Sequence, residues 1–235
     1  MSSRLIGLLR DCWGNTRFPE RCFVQLAYAE EQDDLGDVTD LVTAMGGRDD
    51  LITRLRAEHP TDRPHNEQFD LRLLDAMGEA LAFAWLTLQE FGNPQFCLRE
   101  GYPDLCVPNK IWVEAKTIHL SDAERQEIRD GVERGGGIYS RVGWRRRDFP
   151  RPLRRKFEDA WANALRKFER VDPDGHQAAL VWFRIGGFDW PLSPYATLHH
   201  LKEWAEQIRP RKTGLVLVKY WNWAQPEFYR EPLTS

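Results

Sequence analysis

Residues 95–118 read QFCLREGYPDLCVPNKIWVEAKTI, and their pattern decides the fold. QFCLRE (95–100) has the character of a strand, GYPD (101–104) of a turn, and LCV (105–107) of a second short strand. Pro108-Asn109 then makes another turn before KIWVEAKTI (110–118), which is rich in the β-branched and aromatic residues that suit a pleated surface. Three strands with two tight turns form a meander. In an extended strand, side chains two apart share a face, so Glu114 and Lys116 point together while Ala115 points into the opposite layer.

Upstream, the 67–91 segment has helical periodicity, predicted as two pieces meeting near Gly78. Its ALAFAWLTL run (80–88) is apolar nearly all round, which predicts burial on most sides. Gly92 is the expected helix cap, and Pro94 forbids continuation. Downstream, Ser121 with Glu124 makes a capping box for a short helix over 122–130, and Gly135-Gly136-Gly137 is a flexible joint. A helix over about 152–170, a strand over 177–185, a helix over about 197–208 and a last strand over 214–220 complete the pattern. Strands interleaved with helices give an α/β class, a mixed central β-sheet flanked by helices. Residues 1–64 read as mostly helical, interrupted at Gly46-Gly47, and the prolines at 60 and 64 mark the boundary between this N-terminal helical extension and a 65–235 core domain.

At 235 residues, 42% apolar and 29% charged, the chain has the balance of a soluble globular protein that can bury a core without disulfides. No apolar run reaches membrane-spanning length, and no secretory signal is recognisable, so no membrane partner is expected. Cys12, Cys22, Cys97 and Cys106 lack metal or redox spacing and read as reduced thiols of a cytoplasmic protein. The net charge of −3 hides an uneven distribution: residues 1–66 carry eight basic against twelve acidic residues, and residues 141–170 carry eleven against four. Gly135–Gly137 lacks the Lys-Ser/Thr of a nucleotide-binding P-loop.

The chemistry lies in Pro103-Asp104 followed by Glu114-Ala115-Lys116. A meander brings the Asp104 carboxylate toward Glu114. Two carboxylates and a peptide carbonyl are hard oxygen ligands suited to Mg²⁺, which keeps several waters. A lysine beside such an ion can hold a metal-activated water for attack on phosphorus. Glu79, a carboxylate on an apolar helix, needs a partner to be buried, and the sheet edge carrying Asp104 is the nearest candidate.

Gly78-Glu79-x-x-Ala82 on a helix, a strand, a Pro-Asp turn and a strand bearing Val113-Glu114-Ala115-Lys116 together resemble the PD-(D/E)xK nuclease superfamily, which has the restriction-endonuclease-like fold. The resemblance covers residues 78–118 well and 150–185 more loosely. It implies Mg²⁺-dependent phosphodiester hydrolysis, with Mn²⁺ able to substitute. Asp104 and Glu114 would ligate the metal together with the Ala115 carbonyl, Lys116 would handle the water, and Glu79 would serve as a direct or outer acidic ligand. The helix at 152–170 lacks the Gln-x-x-x-Tyr motif that part of the superfamily carries.

A basic segment follows the proposed active strand. Arg141, Arg145, Arg146, Arg147, Arg151, Arg154, Arg155 and Lys156 lie among Tyr139, Trp144 and Phe149. Guanidinium groups bind phosphate bidentately and aromatic rings stack on unpaired bases, so this segment is the expected nucleic-acid contact, with Lys156 and Asn163 facing substrate. The expected function is a DNA endonuclease acting in restriction, phage defence or repair, with DNA favoured over RNA. The alternative is a non-catalytic nucleic-acid-binding or protein-docking module on the same fold. The N-terminal helical segment is the expected surface for a homodimer or another partner. His119 is a candidate to line the cleft; His199 and His200 show no metal spacing.

Overall fold

The alternation of strand β3 (Ile111–Ile118) sorts the molecule into two apolar layers. Val113 and Ala115 join a core with Leu180, Trp182, Val216 and Val218, whereas Ile118 joins Val181, Phe183, Leu215 and Leu217 on the opposite face. The computed structural model describes residues 34–58, 67–119, 151–185, 194–207, 213–219 and 228–232, and positions 8, 12, 121, 123, 126, 130 and 226. The calls on Arg141, Arg145, Arg146 and Arg147 lie outside the described residues, as do most of the 122–130 helix and the Gly135–Gly137 joint.

The sheet has six strands in sequential order: β1 (Gln95–Phe96), β2 (Leu105–Val107), β3, β4 (Ala178–Ile185), β5 (Thr213–Lys219) and β6 (Phe228–Arg230). β1, β2 and β3 form the expected antiparallel meander. β3–β4 and β4–β5 are parallel, with Glu114 opposite Val181, and β6 returns antiparallel to β5. The helices are α1 (Asp34–Ala44), α2 (Arg48–Glu58), α3 (Glu67–Leu88), α4 (Arg151–Val171) and α5 (Pro194–Gln207). This is a mixed β-sheet flanked by helices, with an N-terminal helical region.

α3 lies between the sheet and the α1–α2 pair. Ala76 to Leu86, Gly78 and Glu79 included, are therefore buried, as the all-round apolar pattern requires. Val38, Val42, Leu51, Ile52 and Leu55 share this core, so the described part of the N-terminal region packs directly into the domain bearing the sheet. On the other face Phe157, Trp161, Ala164 and Phe168 bring α4 onto Phe183, and α5 adds Leu201, Trp204 and Ala205.

Four expectations are corrected. α3 is one unbroken helix across Gly78, where the bare backbone admits β3: a Cβ there would meet Thr117 Oγ1 at 2.5 Å. The residue closing α3 in the left-handed region is Glu90, at φ 57°, with Phe91 N–H bonded back to Leu86 O; Gly92 turns the next step at φ 129°. The first strand is shorter than its apolar run, because the turn begins at Arg99, whose carbonyl accepts from Tyr102 N–H. A further strand, β6, follows the one expected to be last; Gly214 allows its approach, since a Cβ there would lie 2.7 Å from Arg230 O. No described helix is long and apolar enough to cross a membrane.

Candidate functional site

Asp104 sits where the β1–β2 turn re-enters the sheet. Its backbone carbonyl accepts from Cys97 N–H at 2.9 Å and so extends the β1–β2 ladder. The paired part of β2 starts at Leu105, opposite Val113, and beyond it the Asp104 carboxylate replaces a backbone acceptor: Oδ2 takes the Ala115 N–H at 3.0 Å. This bond ties Asp104 to the middle of the Glu114-Ala115-Lys116 triplet. Ala115 faces the α3 layer, and Glu114 and Lys116 face α4, as strand alternation dictates.

Three carboxylates and three cations interlock here. Arg54 of α2 grips Glu79 with two donors, Nε to Oε2 at 2.9 Å and Nη2 to Oε1 at 3.0 Å, and the same Nη2 reaches Asp104 Oδ1 at 3.0 Å. Lys116 lies 2.5 Å from Glu114 Oε1 and 3.9 Å from Asp104 Oδ2. Lys167 of α4 lies 2.6 Å from Glu114 Oε1 and 3.5 Å from Asp104 Oδ1. Asp104 and Glu114 thus touch the same two ammonium groups, while Glu79 joins the cluster through Arg54.

Burial is unequal. Glu114 is 0% exposed and Asp104 4%, whereas the Lys116 and Lys167 side chains are each 29% exposed. The carboxylates are enclosed, and the lysine side chains that pair with them are partly exposed. Neither Glu114 carboxylate oxygen has a hydrogen-bond partner among the described residues; Oε1 has its two ion pairs and Oε2 has none, a costly state for a buried carboxylate oxygen.

These surroundings act on proton affinity. Burial first, then the charge of Asp104, lifts the Glu79 carboxyl to about 8, against the lowering influence of Arg54. Burial and Asp104 likewise raise Glu114, with Lys116 and Lys167 opposing. For Lys116 the largest influence, burial, lowers it, yet the charges of Asp104, Glu114 and Glu79 together carry it above its ordinary value. Lys116 is therefore an ammonium at neutral pH, a donor rather than a base.

A pH dependence follows. Glu79 and Glu114 hold their protons more tightly in the folded chain than in the unfolded one. Their contribution to stability is present at low pH and fades as pH rises, for Glu79 between about 4.5 and about 8. In metal-free buffer the unfolding free energy, and with it the urea midpoint, should fall over that interval, the free energy by at most roughly 1.4 kcal/mol per pH unit for each group. Glu79→Gln should flatten the decline. A midpoint that climbs between pH 5 and 8 would contradict these directions.

In chemistry, though not in number, the donors here are those a divalent cation of the magnesium class takes. Asp104 and Glu114 supply two hard oxygen donors that already share cationic neighbours, and the orphaned Glu114 Oε2 is available. Among the described residues no group of three His, Cys, Asp or Glu side chains is placed to hold a metal. A two-carboxylate site completed by a peptide carbonyl and waters remains consistent with that finding.

The expected phosphate contacts on α4 divide. Lys156 bonds the carbonyl of His119 at 2.6 Å, which fixes the end of β3 to the helix. His119 itself pairs with Asp75 at 2.9 Å. Asn163 Oδ1 accepts from Arg166, and Arg154 pairs with Glu158 one turn on at 2.8 Å. Arg154 and Arg155 are exposed. The side chain of Arg151 lies outside the described residues. Arg54 and Lys167 were not singled out from the sequence. For Lys167 a signal existed: Lys156, Ala160, Asn163 and Lys167 form one helical stripe, and the cluster lies one turn beyond Asn163.

Compared with family models, with curated proteins and with solved structures, the chain finds no match.

Proposed function

We propose that this chain is a metal-dependent nuclease that hydrolyses phosphodiester bonds, with DNA preferred over RNA and internal cutting preferred over trimming from ends. The observation that carries the reading is the convergence of Asp104 and Glu114 on shared ammonium groups, with Lys116 two residues from Glu114 on the same strand face. Within the PD-(D/E)xK resemblance, Asp104, Glu114 and the Ala115 carbonyl would hold Mg²⁺, or Mn²⁺ in its place. Bound there, the ion would supply Lewis acidity toward a phosphoryl oxygen and a water of lowered pKa.

The chain's own residues do the rest. Asp104 fixes the β3 backbone through the Ala115 N–H and so sets the spacing of the two carboxylates. Lys116, protonated and partly exposed, would orient a water and offset charge that develops on the phosphoryl oxygens. Glu79 and Arg54 brace Asp104 from behind, a positioning role. Arg154 and Arg155 present positive charge to a polyanion without reading its sequence.

Purified protein should cut a DNA substrate in Mg²⁺ or Mn²⁺ and stop in EDTA. Absence of cutting on duplex, single-stranded and branched DNA and on RNA, with metal present, would defeat the reading. One observation favours a non-catalytic module instead: Asp104 and Glu114 are already paired with Arg54, Lys116 and Lys167. Such a module would bind nucleic acid with a steep salt dependence and gain nothing from metal.

A further inference from the structure

Glu114 Oε1 has two ammonium groups within 2.6 Å, Lys116 at 2.5 Å and Lys167 at 2.6 Å. Two like charges crowded on one buried oxygen repel each other, and a divalent cation drawn to the same carboxylates would repel both. The two lysines are tethered differently. Lys116 lies on β3 beside Glu114, so its ammonium stays near whatever binds there. Lys167 reaches across from α4, a separate element, so its ammonium can swing away without any movement of β3; in stem and in exposure, 29%, it equals Lys116. Three residues on, the Arg170 guanidinium lies against Gly101, in the turn that delivers Asp104: a Cβ on Gly101 would fall 2.5 Å from Arg170 Nη1. Lys167 and Arg170 therefore face the same hairpin from the same stripe of α4.

We propose that Lys167 is the exchangeable cation of this centre. Without metal it neutralises Asp104 and Glu114; when a divalent cation binds, it leaves those carboxylates and holds a substrate phosphate at the mouth of the site. Repulsion between the added dication and the Lys167 ammonium drives the exchange. A dication added beside Lys116, Lys167 and Arg54 leaves positive charge that a phosphodiester offsets, so metal and nucleic acid each favour binding of the other. This inference rests on the nuclease reading for its phosphate half and on the proposed Asp104–Glu114 cation site for its metal half.

The test compares the full-length protein with Lys167→Met, which keeps the stem and removes the charge, and with Lys167→Arg, which keeps the charge. Mn²⁺ binding is followed by electron paramagnetic resonance without nucleic acid, and single-turnover DNA cleavage is followed at saturating Mg²⁺. Lys167→Met should bind Mn²⁺ about tenfold more tightly, because a competing charge is gone. It should nevertheless cleave about a hundredfold more slowly, because a phosphate-holding charge is gone. Lys167→Arg should stay near wild type in Mn²⁺ affinity and retain most of the cleavage. A merely structural role would weaken both properties together. Unchanged or weaker Mn²⁺ binding by Lys167→Met would overturn the exchange, and undiminished cleavage would overturn the phosphate contact. A wild-type protein that cuts nothing would defeat the nuclease reading and the phosphate contact, while the Mn²⁺ comparison would still decide the exchange.

Discussion

Glu114→Gln should lower Mg²⁺-dependent cleavage by about three orders of magnitude or more while the protein remains folded. The substitution keeps the shape of the side chain and removes the charge. A neutral amide oxygen is a far poorer ligand for a hard cation, and the electrostatic arrangement opposite the scissile phosphate is lost with it. The fold should tolerate the change because charge at position 114 is held against burial, as the raised proton affinity shows. The amide spares that desolvation, and the lysine side chains it releases are already partly exposed. Single-turnover cleavage beside a thermal melt checks the claim. Lys116→Ala should also abolish cutting without unfolding the chain. Undiminished cutting in both variants would remove Glu114 and Lys116 from the chemistry.

The second large effect concerns stability. Arg54→Ala should destabilise the protein by roughly 2–3 kcal/mol at neutral pH, measured by urea unfolding. Arg54 supplies three hydrogen bonds to two buried carboxylates, and its removal strands both. Removing one partner from a buried pair commonly costs about 3–5 kcal/mol. Glu79 limits the loss, since a carboxyl already lifted to about 8 can take up a proton and become neutral. Arg54→Lys should recover only part of the stability, because an ammonium cannot reproduce the two-pronged grip on Glu79. A loss below about 0.5 kcal/mol for Arg54→Ala, the range of ordinary surface changes, would show that the pairing is not holding the cluster together.

How far the sequence reveals this arrangement depends on how local each feature is. The period of two along Ile111–Ile118 places Glu114 with Lys116 and sends Ala115 to the other layer, and no tertiary information is needed for that. The apolar run 80–88 likewise announces a helix covered on both sides, and the Pro103-Asp104 turn announces a return into the sheet. The Glu79 partner is a different matter. Asp104 is close, but the direct clasp comes from Arg54, whose place depends on how α2 docks across α3. Nothing in the local pattern around Leu51 and Leu55 marks that arginine as special. Lys167 is intermediate: its stripe on α4 is legible, but which turn of the helix crosses the carboxylates is set by the packing of Phe157, Trp161 and Phe168. Lys156 reads from the sequence as a substrate-facing residue, yet it grips the backbone carbonyl of His119 at the end of β3. The unbroken course of α3 through Gly78 was hidden because glycine ordinarily weakens a helix by about 0.5–1 kcal/mol. Here the close passage of Thr117 makes the missing side chain useful.

The central claim is that Asp104 and Glu114 together bind a divalent cation. The most direct measurement is an anomalous difference map from crystals of the wild-type protein grown with Mn²⁺. The account predicts one strong peak about 2.1 Å from a carboxylate oxygen of each residue and from the Ala115 carbonyl, with the Lys167 ammonium moved off Glu114. A map without that peak, at a Mn²⁺ concentration that saturates any measured activity and with both lysines still seated on Glu114, would contradict it.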